Sequence, residues 1–273
     1  MNVAQVGVGY WGVNLLRNLA QNKNCSLTTV VELSDERQDF VRLNYPDVNI
    51  TKNLDDVLHN TDIDAVVIAT PAKTHYKIAI KVLENGKHVL VEKPMATNVE
   101  EVRKIGDLAK EQSLVAMVGH TFLFNSAVRY VKELIDSKEL GEIRYIYSQR
   151  LNLGRIRDDV DAMWNLAPHD VSIIQYWLGN PTPLNVQKKG MDYVQKGIHD
   201  VVFLNIDYPN KVLANIHVSW LDPHKTRRMT IVGSKKMIVY DDMSRDKIKI
   251  FDKGIDRMAV LGQNMDFDNP QTF

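Results

Sequence analysis

Between Val3 and Val118 five short apolar runs, "VAQVGVG", "LTTVVE", "DAVVIAT", "HVLVEKP" and "LVAMVG", alternate with segments whose apolar residues recur at helical spacing. Ile78, Val82 and Leu83 mark one helix expected over Lys73–Asn85, and Val102, Ile105 and Leu108 mark another over Val99–Gln112; a third is expected over Val13–Asn22. Strands that read as continuous apolar runs are buried on both faces, and strands joined through crossover helices run parallel. The alternation therefore predicts a doubly wound parallel sheet. The rhythm changes after His120. A helix over about Ala127–Ile135, the run "EIRYIYSQRLNL" and a helix near Pro168–Leu178 lead into "LNVQKKGM", "DVVFLNIDY", "VLANIHVSW", "RRMTIVG", "KMIVYDD" and "KIKIFDKG". Gly, Pro, Asp and Asn punctuate these runs, as in hairpins of an antiparallel sheet. We expect an α/β chain in two domains, a doubly wound domain over 1–120 and an α+β domain over 121–273, with the boundary near residues 119–125.

Charge and cysteine usage remove several function classes. Lys plus Arg equals Asp plus Glu at 34 each, so nothing in the overall charge favours nucleic acid or an anionic membrane as a partner. Cys25 is the only cysteine, which rules out an intrachain disulfide or a multi-cysteine metal site; no metal is expected, and a reducing cytosol is the natural compartment. The chain enters "NVAQVGVG" without a basic, apolar leader, and no apolar run approaches the roughly 20 residues a bilayer span needs. The expectation is a cytoplasmic protein.

The chemistry-bearing stretches lie at strand ends. "GVGYWG" sets Gly7, Gly9 and Gly12 in the G-x-G-x-x-G spacing between an apolar strand and a helix, with Tyr10 and Trp11 in the same loop. Glycines let such a turn approach a pyrophosphate, and the helix start adds N–H groups and partial positive charge. This is a Rossmann-type cofactor signature, and Glu32, at the end of the second strand, is placed to hold a ribose 2′-hydroxyl. A carboxylate there repels a 2′-phosphate, so NAD is preferred to NADP, although Arg37 close by keeps NADP as the lesser alternative. "IATPAKTH" closes the fourth strand, where Thr70 and Pro71 pass under a cofactor; His75 either joins them or sits partly buried at a helix start. "KHVLVEKPM" closes the fifth strand with Glu92 and Lys93 before Pro94, which biases Lys93 away from the helical region. Glu92 can contact the nicotinamide ribose and Lys93 the reacting hydroxyl; the alternative is a solvated pair.

Taken together, "GVGYWG", "ATPAKTH" and "GKHVLVEKPM" resemble the Gfo/Idh/MocA family of nicotinamide-dependent sugar and cyclitol oxidoreductases, and the resemblance covers nearly the whole chain. It implies a Rossmann domain followed by a domain with a large open, mostly antiparallel sheet. It also implies that Lys93 is the catalytic lysine and that a second-domain histidine completes the site. The matching residue is His169 in "WNLAPHDVSIIQYWLG". Pro168 suits a first helical turn and Gly179 a helix end, so His169 is expected near a helix N-terminus that keeps it neutral and able to accept a proton. The family often carries Asp four residues earlier; here Asn165 offers only hydrogen bonds.

The stretch "RLNLGRIRDDVDAMWNLAPHD" resembles a sugar-nucleotide branch that includes UDP-N-acetylglucosaminuronate and UDP-N-acetylglucosamine 3-dehydrogenases. Arg150, Arg155 and Arg157, with Lys225, Arg227 and Arg228 of "PHKTRR", then either hold a pyrophosphate or stand solvated. In "VGHTFLFNSAVRY", which resembles the segment crossing between domains, His120 and Asn125 either line the substrate cleft or pack a hinge. Trp164, Tyr176, Trp177 and Trp220 read as core or interface residues. Family members usually continue with a further strand and helix, whereas this sequence stops at "NPQTF", which we read as a truncated form or a shorter replacement. Apolar runs such as "VLANIHVSW" and "KMIVYDD" on an open sheet imply a homo-oligomer. The expected activity is NAD-dependent oxidation of a ring hydroxyl, at C3, of a UDP-linked N-acetyl amino sugar or its uronate. Alternatives are a free sugar, cyclitol or dTDP-keto sugar as substrate, or a non-catalytic dinucleotide sensor.

Overall fold

Strand β1 (Asn2–Val6) is buried along almost its whole length, and the first unit, Met1–Gly119, is built outward from it. The computed structural model describes residues 1–254 except 155 and 159. After β1 come α1 (Gly12–Gln21), β2 (Ser26–Val31), α2 (Asp35–Asn44), β3 (Asn49–Thr51), α3 (Asp55–Leu58), β4 (Ala65–Ile68), α4 (Ala72–Glu84), β5 (His88–Val91), α5 (Val99–Glu111) and β6 (Ala116–Val118). The strands form one parallel sheet in the order β3-β2-β1-β4-β5-β6. The chain winds one way from β1 to β3 and then crosses back to β4. This reversal opens a crevice at the carboxyl ends of β1 and β4, where ligands bind in such sheets. Helix α4 buries His75, Ala79, Val82 and Leu83, a stripe at helical spacing. The Asn98 side chain caps α5 by accepting from Glu101 N at 2.9 Å.

The second unit begins at His120. A 3-10 turn (Thr121–Phe124) leads into α6 (Ser126–Asp136), β7 (Ile143–Leu153), α7 (Ala162–Leu178), β8 (Asn185–Met191), β9 (Val201–Tyr208), β10 (Val212–Ser219), β11 (Leu221–Gly233), β12 (Met237–Asp241) and β13 (Ile248–Phe251). They build a seven-stranded sheet, β13-β12-β11-β7-β10-β9-β8, antiparallel throughout except between β7 and β10. Strand β9 shows the governing period of two: Val202, Leu204, Ile206 and Tyr208 are buried, while Phe203, Asn205 and Asp207 are exposed. The buried set packs with Val128 and Val131 of α6 and Ile173, Ile174 and Trp177 of α7. The other face carries Tyr145, Leu213 and Phe203, the last stacked on His217 with ring centroids 4.2 Å apart.

Helix α7 corrects one expectation. It starts at Ala162, capped by Asp161 Oδ1 accepting from Trp164 N at 2.9 Å, and Pro168 lies inside it. Proline forfeits one backbone hydrogen bond at that point. A strong cap and the burial of Ala162, Ala167, Ile173, Ile174 and Trp177 outweigh that loss. His169 therefore sits mid-helix, and the helix-start charge invoked to keep it neutral does not act on it. Gly179 ends the helix at φ +81°, as its sequence position implies. Among the described residues no helix is long and apolar enough to cross a membrane.

Candidate active site

In the first unit the turn between β1 and α1 is glycine for steric reasons. Gly7 has φ +92°, and a Cβ there would lie 2.8 Å from the Ala69 carbonyl oxygen; at Gly12 it would lie 2.5 Å from the Gly7 carbonyl oxygen. At Gly9 it would meet no atom within 4 Å, so the turn is open on that side. No side chain caps α1 and no acidic residue occupies its first turn, which leaves the positive end of the helix uncompensated. Gln5, a residue sequence reasoning passed over, braces the loop by donating from Nε2 to the Gly7 and Gly12 carbonyls at 2.9 and 2.8 Å. Glu32, just past β2, accepts from Val8 N at 2.6 Å and Ser34 N at 2.9 Å, which fixes a carboxylate beside the glycine turn. An open turn, an uncapped helix start and a fixed carboxylate fit a nicotinamide dinucleotide without a 2′-phosphate.

Tyr10 of this loop is exposed, and the Trp11 indole N–H donates to Glu92 Oε1 at 2.9 Å, which ties the glycine loop to the end of β5. The second Glu92 oxygen accepts from Lys93 N at 3.2 Å. Glu92 is buried, and burial pushes its carboxyl pKa above the ordinary carboxylate range, against the opposing pull of the Lys93 N–H, the Trp11 indole and the Lys93 and His75 charges. An acid whose folded pKa is raised contributes stability below its unfolded value and loses it as pH rises through the folded value. Glu92→Gln, which keeps an acceptor for Trp11 but sets an amide against the Lys93 N–H, is thus expected to gain in melting temperature relative to the parent as pH rises from about 4 to 7. Melting curves without cofactor check this, and a difference that does not change with pH would count against it.

The half-buried Lys93 follows Glu92 directly, and its peptide bond to Pro94 is cis. Thr70 and the exposed Pro71 follow β4, and the Thr74 hydroxyl lies 2.7 Å from that of Thr70. His75 corrects a second expectation. It is 1% exposed, with Nδ1 2.7 Å from the Pro94 carbonyl oxygen and Nε2 2.8 Å from the Thr70 carbonyl oxygen. Its place on the buried stripe of α4 turns it inward, where it braces two strand exits.

In the second unit the His169 and Phe122 rings pack edge to face, centroids 5.0 Å apart. Asn165, one turn earlier on the same face, accepts from the Trp220 indole N–H at 3.3 Å. Arg150 corrects a third expectation. It is buried, donates from Nε and Nη2 to Asp170 Oδ1 at 2.9 and 2.6 Å, and lies over the Phe122 ring at 4.7 Å. The alternation of β7 points Arg150 to the helix-covered face with Ile146 and Ser148, so its charge is neutralised by Asp170 and not presented to a pyrophosphate. Arg227, opposite it on β11, is partly exposed, 3.3 Å from Asp242. Arg157 is half-buried, its carbonyl accepting from Gln195 Nε2 at 3.0 Å; Arg155 lies outside the described residues. Asn125 is half-buried, and its side-chain oxygen caps α6 by accepting from Ala127 N at 2.9 Å. His120 lines an apolar cavity of about 470 Å³ with Leu123, Met163, Trp164 and Pro168. Trp177 and Trp220 are core residues as expected, whereas Trp164 is exposed at this cavity. Phe122 and Asp170 were missed; the only sequence signal for Asp170 was its position next to His169 in "PHD". Among the described residues no cluster of three or more His, Cys, Asp or Glu is arranged to hold a metal.

Comparison with known proteins agrees with this picture. Residues 1–120 match an oxidoreductase family with an NAD-binding Rossmann fold, and residues 128–239 match the GFO/IDH/MocA C-terminal domain. The chain is 27% identical to a UDP-N-acetylglucosamine 3-dehydrogenase of Acidithiobacillus ferrooxidans over 71% of this chain and 60% of the relative. It is 26% identical to a 2,7-anhydro-N-acetylneuraminate hydratase of Escherichia coli K12 over 79% of this chain and 61% of the relative. The chain thus spans about three fifths of the length of these curated relatives. A solved structure of the A. ferrooxidans UDP-N-acetylglucosamine 3-dehydrogenase has a TM-score of 0.81 at 25% identity, covering 93% of this chain and 80% of that one.

Proposed function

Because the chain belongs to the Gfo/Idh/MocA oxidoreductase family, with its NAD-binding Rossmann fold, we propose that it is an NAD-dependent dehydrogenase that oxidises a ring hydroxyl, at C3, of a UDP-linked N-acetyl amino sugar or its uronate. The observation that carries the cofactor is the open Gly9 turn beside the fixed Glu32 carboxylate. The likeness to the A. ferrooxidans enzyme supports the sugar nucleotide.

NAD, when bound, supplies the hydride acceptor. Glu32 would hold its adenosine ribose, with Thr70 and Pro71 under the cofactor at the end of β4. The role assigned to Lys93 by the resemblance is to hydrogen-bond the reacting oxygen and stabilise its developing negative charge. His169 takes the hydroxyl proton, and Asn165 hydrogen-bonds nearby. Residues 1–120 serve the cofactor, and residues 121–273 serve the substrate and subunit contacts. The exposed sheet face with Tyr145, Leu213 and Phe203 is the surface we assign to self-association, which a monomeric mass at working concentration would contradict. A cytoplasmic setting completes the reading.

The burial of Arg150 against Asp170 removes one cation assigned to the pyrophosphate and favours a second reading, a sugar or cyclitol without a nucleotide. The test is the appearance of reduced nicotinamide with NAD and a panel that includes UDP-N-acetylglucosamine, its uronate, UDP-free sugars and 2,7-anhydro-N-acetylneuraminate. Turnover only with UDP-sugars is expected; turnover only with free sugars would move the assignment to the second reading, and NAD binding with silence across the panel would favour a sensor.

A further inference from the structure

Both ring nitrogens of His75 face carbonyl oxygens, Nδ1 toward Pro94 at 2.7 Å and Nε2 toward Thr70 at 2.8 Å, in a side chain that is 1% exposed. A carbonyl oxygen only accepts, and a neutral imidazole carries a single N–H. In either neutral tautomer a ring lone pair would stand against a carbonyl lone pair at hydrogen-bond distance in a site closed to solvent, an arrangement that costs the full desolvation of both groups. The imidazolium donates at both nitrogens. Burial raises the Glu92 carboxyl pKa, while hydrogen bonds from Lys93 N and Trp11 and the Lys93 and His75 charges draw it toward the ionised form.

The two carbonyls lie just past neighbouring strands. Thr70 follows β4, and Pro94 follows Lys93 beyond the end of β5. We propose that His75 is held as an imidazolium and acts as a positioning residue for Lys93, clamping the exits of β4 and β5 together. The Lys93 backbone is then fixed on both sides, by Glu92 Oε2 accepting its N–H and by His75 donating to the carbonyl of the next residue. The positioning role rests on the reading of Lys93 as the catalytic lysine; the protonation state does not.

Two measurements separate these parts. In the full chain labelled with ¹⁵N-histidine, with the His75 ring assigned through its NOE contacts to Thr70 and Pro94, both ring nitrogens are expected to be protonated at neutral pH. A spectrum with one unprotonated nitrogen overturns the imidazolium, and it is read on the parent protein, so no variant has to fold. His75→Gln, which can keep one of the two donations, is expected to lower kcat roughly ten- to a hundredfold with the Kd for NAD nearly unchanged, as for a reacting group displaced by a fraction of an ångström. An unchanged kcat, or a loss confined to NAD affinity, overturns the positioning role. Full turnover by Lys93→Ala overturns the catalytic reading and the positioning role with it, while the nitrogen spectrum still decides the protonation state.

Discussion

Lys93→Ala is expected to lower kcat for the NAD-linked oxidation by about 10²–10³-fold while NAD binding is retained, the loss that follows removal of one preorganised donor from a developing oxyanion. The residue is well placed for a clean experiment. It is half-buried just past β5, and its neighbours Glu92 and Pro94 are held by Trp11 and His75, so truncation leaves the local backbone anchored. His169→Ala removes the proposed proton acceptor and should cost about 10²–10⁴-fold. If both residues act on one oxygen, the double variant will fall well short of the product of the two losses. NADH absorbance measures turnover, and quenching of intrinsic fluorescence measures NAD binding. Turnover in Lys93→Ala at the parent's rate would sink the proposed chemistry.

The largest stability effect is expected at the Arg150–Asp170 pair, whose side chains are 5% and 2% exposed. Asp170→Leu leaves a buried guanidinium with its carboxylate gone, which costs about 3–5 kcal/mol and lowers Tm by roughly 6–20 °C. Arg150 cannot turn to water, because β7 holds it on the helix-covered face over Phe122. Replacing both, as Arg150→Met with Asp170→Leu, removes the unpaired charge and should recover most of the loss, since an apolar pair of similar volume avoids the desolvation of two ions. In the parent both guanidinium hydrogen bonds converge on Asp170 Oδ1, while the buried Oδ2 has no hydrogen-bond partner among the described residues, a sign that the pair is not optimised for stability. Thermal melts of the two variants decide the matter; a double variant that melts as low as Asp170→Leu would show that the pair itself carries the stability.

Much of the architecture was legible because its causes are local. The doubly wound sheet followed from apolar runs separated by helical periods, the second sheet from successive strand-like runs punctuated by Gly, Pro, Asp and Asn, and the cofactor turn from glycines whose steric need is met within a few residues of chain. The elements that escaped were short or weakly patterned. Strand β3 is the tripeptide "NIT", and α2 has mostly charged and polar residues with only Gln38 and Val41 fully buried. Asp161 was a legible helix cap that the more conspicuous Pro168 obscured.

What the amino-acid sequence determined by itself was the set of groups available for chemistry: three glycines at a strand-to-helix turn, an acid at the next strand end, and Lys93 and His169 in their motifs. Only the tertiary structure decided which of these groups are already engaged. Arg150 meets Asp170 across 20 residues of chain, His75 meets Pro94 across 19, and Trp11 meets Glu92 across 81. A side chain's availability depends on the face its element turns to the core and on partners brought in by packing. Neither is encoded in the residue's own neighbourhood, so a charged or histidine side chain that reads as a ligand in sequence can fold inward and become part of the frame.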